Sequence, residues 1–510
     1  MPIEQVKEDA SGLPELHTHY SNSFLHMRPA PEYASGEVVL ASFIRNICFS
    51  GVPESNVPKN GSDLSKRINR EKDNTKEKKL ANDSWQTVIE SSLKSPKQPN
   101  QSARRFLQIY PIVPDCAIYS SSARLSTNSW NPGEMVQRIF EFGAKNHADA
   151  ENLWKKTFET LAVSDNKDDP WALGLQLEFE RRRPEKIKWQ LQDFSENEMI
   201  KIWREGGGES PSTRFMSDMD QVLNLKEALT RRQWISMLEC LLRLACGAHV
   251  LWLCRANIVT YKLFLDALRG DEPLPTSQIV RDRLAVNSQG FWRYGQLAGE
   301  TIENFAREYL EARVGLNALL HLTDDMDFEI IKGSNPLGSP DSIQLAATKL
   351  QKSRGKLSYE NHRNTVRAVV DGNPRLFSVK KGIGSNIKEF LRHCLGQRQT
   401  TEEGMKSYDQ GYWLRKNGYH NSAKWIVSAG PVAVLLLVYC CSKRTVGPAT
   451  TDDLCRHLGE YGITLKLDDV TGTGDLGPTL RRMGLVTDSP DAEGGMLIRN
   501  PFRTKGEKHT

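Results

Sequence analysis

Among its 510 residues the sequence has no C-x-x-C pair, no G-x-x-x-x-G-K loop, no G-x-S-x-G elbow and no H-E-x-x-H. Those absences remove the usual spacings of zinc ribbons, phosphate-cradling NTPases, serine hydrolases and zinc proteases. The nine cysteines are an odd set placed mostly inside apolar segments, so reduced, buried thiols are expected in place of a disulfide frame. A basic start followed by an apolar stretch is missing too; no secretory signal is read, and the cytoplasm is the expected compartment. Long uncharged runs are scarce. The interval "WIVSAGPVAVLLLVYCCS", between Lys424 and Lys443, sits at the short limit of a membrane span. Ser428, Gly430 and Pro431 interrupt it, which leaves a core helix from Val432 onward and predicts no membrane contact.

What is present is a chain for two to four domains, since roughly 100 to 200 residues make one. Hydrophobic residues are 38% and charged residues 26%, the balance of a globular chain with solvated insertions, and the net charge of +5 permits a nucleic-acid partner without requiring one. Composition divides the chain into an N-terminal segment (1–50), a flexible polar insertion (51–102), a helical core (103–400), a module with its connector (401–502) and a tail (503–510). In the first segment only "EVVLASFIRNICF" has the apolar content of a packed element, with helix and strand both open. "NPGEMVQRIFEFGAKNHADAENLWKKTFETL" spaces its apolar residues for a helix pair. Residues 221–268 are the most apolar long stretch, and Glu239, Arg243 and Arg255 within it argue for a buried helical hairpin over a membrane span. Further helices are expected over 290–321, 343–350 and 385–394.

The C-terminal residues carry the clearest grammar. "TTDDLCRHLGEYG" opens on threonine caps and an acidic first turn, spaces Leu454, Leu458 and Tyr461 along one face and stops at a glycine. "TGDLGPTLRRMG" repeats the pattern with Leu476, Leu480 and Met483, and "LVTDSPDAEGGMLIRNPF" reads as two strands around a turn. Helix, helix, helix and hairpin over 422–502 resemble the winged-helix family. The resemblance implies a third helix that lies in the major groove of DNA, with Thr479, Arg481 and Arg482 facing bases or phosphates. Residues 449–502 hold nine acids against five bases, a balance that makes the module a poor stand-alone DNA binder and suits a protein-docking or structural cap at least as well.

Basic residues are denser just upstream. Lys380, Lys381 and Lys388 surround "KKGIGSN" at a helix start, where exposed amides could seat a phosphate, with a solvated glycine turn as the alternative. "YDQGYWLRKNGYHNSAKW" interleaves aromatics with Arg415 and Lys416, as a base-stacking surface or a domain junction would.

Two stretches raise enzyme chemistry. The "LHTH" of "LPELHTHYSNS" resembles the opening of the PHP family of metal-dependent phosphoesterases, which implies metal ligands at His17 and His19. Its flanks are polar and marked by Gly12 and Pro14, no Asp-x-His occurs, and the other histidines are isolated in sequence, so a mobile N-terminal tail with no metal is expected. "HLTDDMDFE" gathers Asp324, Asp325, Asp327 and Glu329, which could hold a divalent ion in a nuclease or stand solvated at a helix end. "REGGGESPSTRF" reads as a flexible loop between helices.

The expectation is a mainly α protein: a multi-helical core with a C-terminal winged-helix-like module, with no cofactor and no self-sufficient active site. That architecture resembles the accessory subunits of bacterial multi-gene anti-phage defence systems. It implies a scaffold or nucleic-acid-sensing subunit whose partners are other protein subunits and DNA. A DNA-binding regulatory factor acting through the module and a metal-dependent nuclease stay open beside it.

Overall fold

The computed structural model describes residues 13, 15–28, 31–51, 110–119, 131–164, 168–181, 183–270, 272–286, 290–325, 335–377, 382–398, 408–418, 424–444, 447–466, 469–470, 474–487 and 495–502. The fold is mainly α, with sixteen helices among the described residues. Seven come first: α1 (Thr18–Ser21), α2 (Gly36–Cys48), α3 (Pro132–Gly143), α4 (His147–Leu161), α5 (Pro170–Arg181), α6 (Glu198–Glu205) and α7 (Ser212–Asn224). The long α8 (Arg231–Arg269) is followed by α9 (Ser277–Leu284), α10 (Gly299–Asp325), α11 (Pro340–Lys352), α12 (Tyr359–Asp371) and α13 (Ile383–Leu395). The C-terminal residues add α14 (Pro431–Arg444), α15 (Thr451–Glu460) and α16 (Leu476–Arg482). The short strands are β1 (Phe49–Ser50), β2 (Lys188–Trp189), β3 (Trp292–Arg293), β4 (Leu414–Lys416), β5 (Trp425–Val427), β6 (Ile463–Thr464), β7 (Val486–Thr487) and β8 (Leu497–Ile498). They pair two by two, β1 with β2, β4 with β5 and β7 with β8 antiparallel, β3 with β6 parallel.

Where a hairpin was expected over 221–268, the chain forms one unbroken helix of 39 residues, about 58 Å long. Its start is closed by a capping box between Thr230 and Gln233, and its end by Gly270 in the left-handed region at φ +71°. Between those stops no proline or turn sequence interrupts it. Gly247 sits mid-helix where a Cβ would lie 2.7 Å from the Leu395 side chain, so it admits the close approach of α13. The hairpin partner is α7, set before a 3₁₀ turn at Leu225–Ala228. By length and composition α8 could cross a membrane, yet its apolar window is wholly buried inside the fold, under α2, α7, α10, α11, α13 and α14. The interval that raised the same question at 425–442 divides into β5 and α14, with Pro431 at the first helical position.

The N-terminal segment departs from a mobile tail. Tyr20, Phe24, Leu25 and Met27 are buried, Phe24 stacks 3.9 Å from Trp203, and the Tyr20 hydroxyl donates to Asn257 at 2.7 Å. Phe24 packs between Trp203 of α6 and Trp252 of α8, and α1 lies against α10. The stretch 37–49 resolves into α2 ending in β1. Residues 204–215 do connect two helices, but tightly: a Cβ on Gly208 would stand 2.0 Å from the Trp203 ring. Eight of the nine cysteines are buried and all are free thiols.

Glu239 and Arg243 of α8 lie in the core and are paired there. Arg243 donates from Nε to the Cys394 carbonyl at 2.6 Å and from Nη2 to the Gly396 carbonyl at 2.9 Å; its Nη1 meets Asp409 Oδ1 at 2.8 Å. Arg398 bridges Glu37 and Glu239, and its backbone N–H donates to Asp409 Oδ2 at 2.8 Å. Burial opposes ionisation of Asp409, but Arg243 and Arg398 together hold its carboxyl below the usual range. Burial pushes Glu239 up to about 7 against the same two arginines. A Cβ on Gly36 would reach within 2.3 Å of Glu239, so the bare backbone of α2 lets this network close. Replacing Arg243 by Met strands the Asp409 carboxylate in the core and is expected to cost roughly 3 to 5 kcal/mol in a urea titration. A loss below about 1 kcal/mol would show that the network carries little stability.

Candidate nucleic-acid interface

The described parts of residues 431–502 run as helix, bridge, helix, the short strand β6, helix and hairpin. Pro431 opens α14, which buries Leu436, Leu437 and Tyr439, and a capping box between Thr450 and Asp453 starts α15. Thr450 itself bridges Leu497, so β8 lies between Thr450 and β7. The Thr451 N–H donates to the Met496 carbonyl at 3.0 Å, and the Ile498 N–H donates to that of Ala449 at 2.8 Å. The helix α16 buries Leu476, Gly477 and Leu480 and turns Arg481 and Arg482 to solvent. Gly477 is required where it stands, since a Cβ would sit 2.1 Å from the Val470 carbonyl. Thr479 is half-buried, and its hydroxyl donates to the Asp475 carbonyl at 3.1 Å. Its oxygen is thereby engaged along the helix, unlike the outward placement expected for it.

The other basic candidates divide. Arg415, on β4, reaches 3.9 Å from Asp475 and so lies beside the start of α16, at the opposite end from the exposed arginines of that helix. Lys416 stands 5.3 Å over the Trp425 ring, and burial lowers its ammonium pKa. Lys388 belongs elsewhere: it lies on α13, 5.8 Å over the Phe377 ring. Lys380 and Lys381 fall outside the described residues. The first turn of α13 is covered where an open phosphate seat was read, with Ser385 and Asn386 buried and Gly384 close under Leu310 and Phe377. The aromatic run is a junction, because the Trp413 indole donates to the Cys240 carbonyl at 3.1 Å from a buried position.

This region is locked to the core by a contact between residues with no mark in the sequence. The buried Asp218 of α7 accepts from the Tyr461 hydroxyl at 2.8 Å and faces His457 Nε2 at the same distance. Arg214 stands 3.3 Å from the other carboxylate oxygen and 3.4 Å from Glu460. Every member is an unremarkable residue alone; only their meeting across more than two hundred positions gives the contact meaning.

Two motifs that look unrelated in sequence also meet. The His17 ring lies 5.3 Å from that of His19 and 5.0 Å from that of His321, with Asp324 Oδ2 at 3.7 Å. His17 Nδ1 accepts the His19 N–H at 3.1 Å as the cap of α1, which puts its ring proton on Nε2, facing Asp324. His321 Nε2 donates to the Glu15 carbonyl at 3.0 Å. With those nitrogens committed to protein partners, the group clasps the N-terminal segment to α10. Among the described residues no group of three or more His, Cys, Asp or Glu stands ready to hold a metal. The side chain of Asp325, and Asp327 and Glu329 entirely, lie outside them. A cleft of about 480 Å³ between α4 and α7 has lysines already engaged, Lys156 with Asp220 and Lys226 with two carbonyls.

Burial lowers the His17 pKa below 6.5, helped by the neighbouring His321 and His19 and opposed by Asp324. Burial also takes His26 and His249 down to about 3 and His362 to about 4. Because the fold holds these rings neutral, their contribution is present above the unfolded value of 6.5 and is lost as pH falls below it. Glu141 and Glu239, raised to about 7 mainly by burial, act in the opposite direction over the upper part of that window. The substitution His17→Asn keeps a capping side chain and removes one proton acceptor. Urea midpoints between pH 6.5 and 5 are therefore expected to fall less steeply in the variant, and equal slopes would exclude a role for His17 in the acid response. No protein-family model matches this chain, and no curated protein is detectably similar to it.

Proposed function

We propose that this protein is a scaffold that docks duplex DNA through residues 431–502, arranged as a winged helix, and that it serves beside other protein subunits in a bacterial antiviral assembly. The assembly follows from the architectural resemblance alone. The DNA contact is supported by α16, which packs its apolar side inward and leaves Arg481 and Arg482 exposed in its last turn. In winged helices that bind DNA, the third helix enters the major groove, where guanidiniums pair with guanine edges or phosphates. The surplus of acids in these residues leaves the attraction to a few local cations, so affinity should be modest and steeply dependent on salt.

Fluorescence polarisation with a labelled duplex of about 25 base pairs, at roughly 50 and 200 mM salt, tests this in the full-length protein. The double substitution R481E/R482E is expected to weaken binding at least tenfold and to lower the salt slope by about two. A wild-type protein with no salt-dependent affinity for duplex would sink the proposal.

A further inference from the structure

Positive charge is concentrated in one short interval away from α16. Residues 349–367 hold six cations (Lys349, Lys352, Arg354, Lys356, Arg363 and Arg367) against the single acid Glu360, a surplus equal to the +5 of the entire chain. The rest of the protein is neutral in sum. The interval spans the end of α11, a 3₁₀ turn at Arg354–Lys356 and the start of α12, folded onto the C-terminal end of α8. On α12, Tyr359, Arg363 and Arg367 recur every fourth residue beside the buried stripe of His362, Val366 and Val370. Lys352, Arg354, Lys356 and Arg367 are exposed.

Several of these groups are held in place. Arg354 Nη1 donates to the Gly270 carbonyl at 2.9 Å, which anchors its guanidinium at the end of α8. Arg269 lies 5.1 Å over the Tyr359 ring and donates to its hydroxyl at 3.2 Å, and Arg363 donates to the same oxygen at 3.4 Å. Tyr359 thus fixes two guanidiniums side by side at the surface, so less side-chain freedom remains to be lost when a ligand arrives. The nearby acids are Asp266, 3.8 Å from Arg269; the exposed Glu272, whose carbonyl accepts from Gln351 at 3.3 Å; the exposed Glu360; Glu311, near Tyr261; and Asp371, engaged by Arg307 at 2.8 Å.

The chemistry distinguishes between polyanions. Protein interfaces carry an apolar core, yet none of the large hydrophobic side chains exposed among the described residues falls between 349 and 371. Forked guanidiniums and lysines without an apolar centre match a phosphate backbone. We propose that this surface is a sequence-independent docking site for the backbone of a nucleic acid. It rests on the same ligand class as the function proposed above but on different residues.

The test uses the full-length protein and the same labelled duplex, of about 25 base pairs and random sequence. The substitution set K352E/R354E/K356E/R367E is expected to weaken binding at least tenfold and to make the salt slope shallower by about three. The milder pair K352Q/R367Q, which changes exposed residues only, is expected to cost about threefold and serves if circular dichroism shows the first variant misfolded. Unchanged affinity and slope in a folded variant would overturn the proposal. So would displacement of the duplex by polyglutamate of equal charge at equal potency, which would assign the surface to an acidic protein. Loss in these variants with R481E/R482E unaffected would uphold this site and remove the one on α16; the opposite pattern would do the reverse.

Discussion

The fold depends on how Arg243 is accommodated out of contact with solvent. A guanidinium there is tolerable only if carbonyls and carboxylates occupy its donors, and those partners come from distant parts of the chain. Cys394 and Gly396 supply carbonyls, Asp409 a carboxylate, and Arg398 ties the same carboxylate to Glu37 and Glu239. Two cations face three acids, and the raised Glu239 lets the group reach neutrality by keeping a proton. The network therefore specifies position as well as contributing energy: α2, α8, the end of α13 and the approach to β4 must all arrive together.

That constraint governs how the C-terminal residues are presented. Asp409 and Trp413 are fastened to α8, β6 pairs with β3, and Asp218 receives Tyr461 and His457. Within residues 401–430, a connector by composition, Asp409, Trp413, Leu414 and Val427 are buried. The exposed arginines of α16 are consequently mounted on a fixed support and not carried on a tether. Arg354 is mounted likewise on the Gly270 carbonyl, and Arg269 and Arg363 on the Tyr359 hydroxyl.

Legibility followed the distance over which each feature acts. The helix pair α3 and α4, the capped α15, the short α16 and the hairpin of β7 and β8 were all readable, because their apolar spacing, caps and turn residues are neighbours in the chain. Burial of the cysteines followed from their apolar surroundings. The unbroken α8 was not foreseen, since a long apolar stretch does not reveal whether it turns, and nothing in its sequence announced that Gly247 would admit Leu395. The N-terminal segment looked too polar to pack, but its few large apolar residues are all used against distant helices. His17 and His321 stand 304 positions apart, and no local pattern could have joined them. The cations of 349–367 needed no structure to be counted; they were passed over because the net charge of the whole chain conceals how unevenly it is distributed.

The length of α8 also sets a scale. The C-terminal residues meet this helix around Cys240, where Trp413 docks, whereas the arginines bracketing Tyr359 gather at Arg269. Along a helix axis those two positions are separated by about 43 Å, or about eight turns. The core helix is thereby a single beam to which two distant stretches of the chain are fastened, and the spacing of the two attachments follows from the helix rise.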